Sequence, residues 1–112
     1  MTDKVLVSNK QSVLADTIES FYSSPSAGQG TVIKAFTATN DTTSSKSYKA
    51  YIYNSSGALV SSVIPFTIVV RDRVDFGASI VNQVVPAGGS LRVESSGTNS
   101  LNFYVSGLEQ SA

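Results

Sequence analysis

Leu101-Asn102-Phe103-Tyr104-Val105-Ser106 decides the fold of this chain. Leu101, Phe103 and Val105 alternate with Asn102, Tyr104 and Ser106, so apolar side chains recur at every second position. That period of two is the signature of a β-strand with one face on a core, because successive side chains of a strand point to opposite sides. Gly97-Thr98-Asn99 precedes it as a turn, and Ser90 to Ser95 before that turn places Leu91 and Val93 on one side. Pro86-Ala87-Gly88-Gly89 is a further turn, whose glycines can take positive φ. Ser79 to Val85 is expected as the strand leading into it.

Towards the N-terminus the same grammar repeats. Ser47 to Asn54 alternates, with Tyr48, Ala50 and Ile52 facing one way and Lys49, Tyr51 and Tyr53 the other. Ser55-Ser56-Gly57 turns the chain and Leu59 to Ile64 returns it. Pro65 interrupts the apolar stretch Val63 to Val70, which places that stretch at a strand start or a sheet edge, since proline cannot donate to a ladder. Thr31 to Asn40 is a strand with Phe36 and Ala38 on one face, and Asn40 to Ser47 is a polar turn. Gln11 to Tyr22 carries Leu14, Ile18, Phe21 and Tyr22 at helical spacing. Its Thr17, Ile18, Phe21 and Tyr22 are β-prone, however, and Ser23-Ser24-Pro25 breaks the run, so it reads as arm followed by strand.

Seven or eight short strands, with turn signals about every 8–12 residues, imply two packed sheets, because one layer cannot bury all these alternating faces. The expected fold is all-β: an antiparallel β-sandwich, jelly-roll or immunoglobulin-like, over residues 13–112, with an extended N-terminal arm over residues 1–12. The arm has few anchors of its own and could add to a neighbour's sheet edge.

Composition narrows the function. The 112 residues hold one domain's worth of chain, with no cysteine, histidine or tryptophan. Charged residues are scarce at 14%, and serine and threonine, about a quarter of the chain, take their place. Net charge is zero and the eight Lys and Arg are scattered, so no basic stripe marks a nucleic-acid binder. Val5 to Val7 is too short an apolar run for a secretory signal or a membrane span, so a soluble product made in a cytoplasm is expected.

Without histidine or cysteine there is no Ser-His-Asp triad, no thiol nucleophile and no His- or Cys-ligated zinc. Paired carboxylates could still hydrolyse glycosides, and Asp72, Asp75, Glu94 and Glu109 are the candidates. Their scatter matches the background of a small domain, so no enzyme activity, cofactor or metal is expected. Tyr51 and Tyr53, on one strand face, could stack on sugars as in a carbohydrate-binding module, although tyrosine is common in strands for cross-strand pairing alone. Asn40-Asp41-Thr42 and Asn54-Ser55-Ser56 fit the glycosylation pattern but read simply as turns. Two segments stand out as partner-binding: Val5-Leu6-Val7 in the arm, and the charged loop Arg71-Asp72-Arg73, whose arginines could meet acids on a partner.

Four pieces in fixed order then resemble a known group. Tyr22 to Gly30 is a tyrosine before a turn with proline and glycine. Thr31 to Asn40 is a strand ending in asparagine. Val84-Val85-Pro86-Ala87-Gly88-Gly89-Ser90-Leu91-Arg92-Val93 is an apolar strand, a proline-glycine turn and a Ser-Leu strand. Phe103-Tyr104-Val105-Ser106-Gly107-Leu108-Glu109 closes on Ser-Gly-hydrophobic-Glu. From Thr17 onward the chain is similar to the small β-sandwich structural proteins of tailed bacteriophages. Gly89 departs from that pattern, which has an acidic residue in the turn. The resemblance implies a virion structural protein, first a capsid decoration (cement) protein on the outer shell. It would bind the major capsid protein of the same phage, be a dimer or trimer, and touch neither nucleic acid nor membrane. A tail or head–tail connector component is the alternative within the virion.

Overall fold

The structure is a computed structural model and describes residues 4–40, 42–69, 73–75 and 80–110. Nine strands follow one another: β1 (Lys4–Gln11), β2 (Ile18–Ser23), β3 (Gly30–Asn40), β4 (Lys46–Tyr53), β5 (Leu59–Val69), β6 (Arg73–Asp75), β7 (Val84–Val85), β8 (Ser90–Ser95) and β9 (Leu101–Gln110). They form two antiparallel sheets. One has the order β1-β9-β3-β6, with the two-residue β7 also paired to β3, and the other has the order β2-β8-β4-β5.

The pairing is nested. β1 pairs β9, β2 pairs β8, β3 pairs β6 and β4 pairs β5, as in one long antiparallel ribbon doubled back between β4 and β5. Wrapping that ribbon brings β3 against β9 and β4 against β8, which completes each sheet.

Both sheets turn their apolar positions to a shared core. Leu101, Phe103 and Val105 of β9, Ile33, Phe36 and Ala38 of β3, and Val7 of β1 meet Tyr48, Ala50 and Ile52 of β4 and Leu91 and Val93 of β8. Four rings fill the centre. Phe103 meets Phe21, Phe36 and Tyr48 edge-on at 5.2, 5.8 and 5.5 Å, and Phe36 stacks on Tyr48 at 5.6 Å. Edge-to-face and offset rings are the favoured arrangements, because the positive rim of one ring meets the negative face of the next.

Serine and asparagine side chains hold the turns. Ser95 and Ser100 hydroxyls lie 2.9 Å apart, and Ser100 donates to the Gly97 carbonyl at 2.7 Å, which closes the turn between β8 and β9. Asn40 Oδ1 accepts from the Thr42 N–H at 3.0 Å, and Asn54 Oδ1 from the N–H groups of Ser56 and Ala58, each at 3.0 Å. Both Asn-containing segments are therefore turns held by their own asparagine. Among the described residues no buried side-chain polar atom lacks a hydrogen-bond partner.

Two sequence expectations change, and a third is made specific. The segment expected as an arm is, over Lys4–Gln11, the edge strand β1 on β9. Of the expected strand Ser79 to Val85, only Val84–Val85 is strand among the described residues. Asn82 turns the chain at φ +71°, donating to Ile33 O at 2.6 Å, while Ile33 N–H reaches Gln83 O at 3.0 Å. Pro65 lies inside β5, an edge strand of its sheet, which is the second of the two placements expected for it. There the register with β4 shifts between Tyr48↔Thr67 and Ala50↔Val63. A bulged edge tolerates the missing N–H.

Candidate functional site

Between β1 and β2 the chain crosses one end of the molecule, and this loop is held at almost every backbone donor. Ser12 N–H donates to Leu101 O at 2.9 Å, and Asp16 N–H to Ser95 O at 2.7 Å. Ala15 N–H reaches the Thr98 hydroxyl at 3.3 Å. The N–H groups of Val13 and Leu14 both donate to the Glu19 carboxylate, at 3.0–3.1 Å, and Val13 O accepts from Asn99 N–H at 3.0 Å. Asp16 takes a left-handed backbone, φ +53°, to enter β2.

On this pinned frame the side chains are the wrong kind for a free loop. Val13 is 51% and Leu14 56% exposed, and Ile18, at the start of β2, is 41% exposed. Burying a leucine or valine fully is worth roughly 1.5–3 kcal/mol, so about half of that is unrealised at each of these side chains. A backbone already ordered loses little further entropy when these side chains are covered, which is the condition for an efficient docking point.

Beside the loop lies a cleft of about 110 Å³ lined by Asp16, Ser47, Lys49, Glu94, Ser95 and Ser96. Ligand pockets usually run to ~300 Å³ or more, so this one suits the tip of a single partner side chain. Glu94 accepts from the Tyr51 hydroxyl at 2.8 Å. Burial, with the Glu94 carboxylate beside it, pushes the Tyr51 phenol up to about 12.

The two strand tyrosines offer no open platform. Tyr51 is only 9% exposed. The Arg92 guanidinium lies 4.2 Å from the centre of the Tyr53 ring, held by an Nε–H bond to Ser90 Oγ at 3.0 Å. The carboxylates considered for glycoside hydrolysis are separated by the fold: Glu94 is on β8 of one sheet and Glu109 on β9 of the other, each hydrogen-bonded to its own tyrosine. Asp75 ends β6, paired with Ala38, and Asp72 lies outside the described residues.

The partner-binding segments expected from the sequence divide. Val7 is 3% exposed and belongs to the core, so it is not available to a partner. Leu6 is half-buried and packs against the core, while Val5 is 45% exposed on the outer side of the sheet. A bulge between Val5 and Val7 separates them: two residues oppose one on β9, which turns Val5 out and Val7 in. Arg71 and Asp72 lie outside the described residues, and Arg73 opens β6 opposite Asn40.

Val13, Leu14 and Glu19 were not singled out by sequence reasoning. The one local signal was the adjacent large aliphatics Val13 and Leu14 within the short stretch from Gln11 to Thr17. Comparison with protein families, with curated proteins and with solved structures finds no match.

Proposed function

We propose that this protein is a bacteriophage virion structural protein, a capsid decoration (cement) protein that docks on the outer shell through the Val13–Leu14 loop. The observation carrying the reading is that loop: two large aliphatic side chains held out to solvent on a backbone whose donors are tied to Glu19, Leu101, Ser95 and Thr98. The partner in this reading is the major capsid protein of the same phage. The chemistry is adhesion and not bond-making. A protein that binds only the assembled lattice stabilises it by mass action, and many copies on a symmetric shell add their effects.

The fold we propose is a β-sandwich of the jelly-roll kind. The nested pairs β1:β9, β2:β8, β3:β6 and β4:β5 support it, because a jelly roll is an eight-stranded antiparallel ribbon wound into two sheets. Capsid and lectin domains share that architecture, so the fold agrees with a virion role without carrying it.

The test mixes purified protein with shells of the parent phage that lack it. Co-sedimentation at a fixed saturating ratio, with a higher shell disruption temperature, is expected. A Val13→Ser, Leu14→Ser double variant is expected to stay in the supernatant. Wild-type protein that stays in the supernatant, with shells that melt unchanged, would overturn the decoration role and direct the search to the tail.

A further inference from the structure

We infer that Arg92 anchors an acidic side chain of the protein partner, on a sheet face that adjoins the Val13–Leu14 loop. The inference rests on that loop being the docking point. It adds the chemistry that the partner presents beside it, a carboxylate next to an apolar patch.

The register places the outward side chains of the β2-β8-β4 sheet in rows. Ile18, Glu94 and Lys49 form the row beside the loop, Ser20, Arg92 and Tyr51 form the next, and Ser90 and Tyr53 the one after. Leu91 and Val93 alternate with these residues along β8 and lie in the core. Two residues of strand separate one row from the next, so Arg92 stands about 7 Å along the sheet from the row of Ile18. Ile18, 41% exposed where the loop enters β2, brings apolar surface onto this face.

Arg92 is fixed in place without an acid. Its guanidinium lies 4.2 Å from the centre of the Tyr53 ring, and its Nε–H donates to Ser90 Oγ at 3.0 Å. The stack and the bond together set the plane of the group. Its two terminal nitrogens bond to no described residue, and neither is sealed from solvent, because no buried side-chain nitrogen among the described residues lacks a partner. The acid nearest in register, Glu94, accepts from the Tyr51 hydroxyl at 2.8 Å, and Tyr51 stands directly opposite Arg92. That bond engages the carboxylate that would otherwise serve Arg92. Asp16, the other acid at this end, shares its cleft with Glu94 and Lys49, so a cation already stands between them. Lys4 and Lys10, by contrast, are engaged within the chain, by Glu109 and by the Phe21 ring.

With Nε tied to Ser90, what remains of Arg92 is its end-on pair of Nη donors. That fork has the spacing of two carboxylate oxygens. A guanidinium already held in plane loses little freedom when an acid joins it. A phosphate would satisfy the same fork, but Val13, Leu14 and Ile18 beside it require an apolar surface, and a protein presents both together.

A co-sedimentation titration on shells of the parent phage that lack the protein tests the inference. Arg92→Gln is expected to raise Kd about 30-fold, the loss of a charge-assisted pair, and to flatten its dependence on NaCl between about 50 and 500 mM. Arg92→Lys keeps the charge but not the fork, and is expected to stay about fivefold weaker than wild type. Melting temperature reports the fold, and Arg92→Met, which keeps the stem over Tyr53, replaces the Gln variant if that one does not fold. Lys34→Gln makes the same change of charge on the other sheet and is expected to bind as wild type. An Arg92→Gln protein that binds as tightly as wild type would overturn the inference and leave the loop reading standing. Equal weakening by Lys34→Gln would also overturn it, since the effect would then be one of overall charge. Wild-type protein that does not bind the shells would overturn the docking reading and this inference with it.

Discussion

The Tyr22 hydroxyl donates to the Glu109 carboxylate, which ties β2 of one sheet to β9 of the other. Lys4 of β1 reaches the same carboxylate at 2.9 Å, and the Thr31 hydroxyl links Tyr22 to the buried Ser24, at 2.9 Å on each side. Four strand regions are thus fastened at one end of the molecule. The Tyr22 hydrogen bond, and then the Lys4 ammonium, hold the Glu109 carboxyl below the usual carboxylate range. Its contribution is complete above the unfolded carboxyl pKa and fades as pH falls through the lowered one. The wild type is therefore expected to lose melting temperature in acid. Glu109→Gln is expected to be less stable at neutral pH by about 1 kcal/mol, since the carboxylate is partly solvated, and to show a flatter acid limb. Thermal melts across pH 2–7 check both, with about 4–8 °C expected per kcal/mol.

At the alkaline end two phenols act together. Burial, reinforced by Glu109, pushes Tyr22 up to about 12, and burial, reinforced by Glu94, does the same to Tyr51. A phenol whose pKa is higher in the folded chain stabilises the fold fully below its unfolded value near 10, and that stability is lost as pH rises through the folded value. Stability is expected to fall between pH 10 and 12. Titration of tyrosinate absorbance is expected to show late groups that move to the ordinary range in urea. Tyr51→Phe should remove one of them.

The alternating strands were legible because their cause is local. Leu101, Phe103 and Val105, Tyr48, Ala50 and Ile52, and Leu91 and Val93 each fall on the buried side. β1 was not legible as a strand. Val5, Leu6 and Val7 are consecutive aliphatics with no alternation, since the bulge between Val5 and Val7 breaks the period of two. β6 is three residues long, below the reach of any periodicity. The Val13–Leu14 loop was invisible for a different reason. Its rigidity comes from Thr98, Asn99, Ser95 and Leu101, more than 75 positions away in sequence. Only Glu19 is near, and a carboxylate five or six residues past two aliphatics has no pattern to distinguish it.

Gly89 gives a sharper test of the turn between β7 and β8. Its N–H bonds to Pro86 O at 2.8 Å, and Gly88 occupies the left-handed position at φ +74°. A Cβ on Gly89 would lie 2.2 Å from the Tyr53 carbonyl oxygen and 3.0 Å from that of Pro86. Both are backbone atoms that cannot swing away. An acidic side chain therefore has no room at position 89. Gly89→Asp is expected to cost about 3 kcal/mol or more in urea denaturation, through displacement of β4. Gly88→Ala is expected to cost about 1 kcal/mol or more, from the left-handed backbone and from a Cβ that would lie 3.0 Å from Ser55 Cβ.

Substitutions in the proposed docking loop separate contact from order. Val13→Ser with Leu14→Ser removes aliphatic surface that is about half exposed, so the fold is expected to lose about 2 kcal/mol at most and to stay folded while shell binding is lost. Glu19→Ala leaves both aliphatics in place but frees the Val13 and Leu14 N–H groups, which can turn to water. The loop then samples several conformations, and docking must order it. Binding in a shell co-sedimentation titration is expected to weaken about tenfold through that ordering cost, with little change in the melting temperature. Combined with Leu14→Ser, the Glu19→Ala effect should shrink, because an ordered backbone matters only while it presents the leucine. Additive losses in that cycle would mean that Glu19 contacts the partner itself and that the loop is not held ready for it.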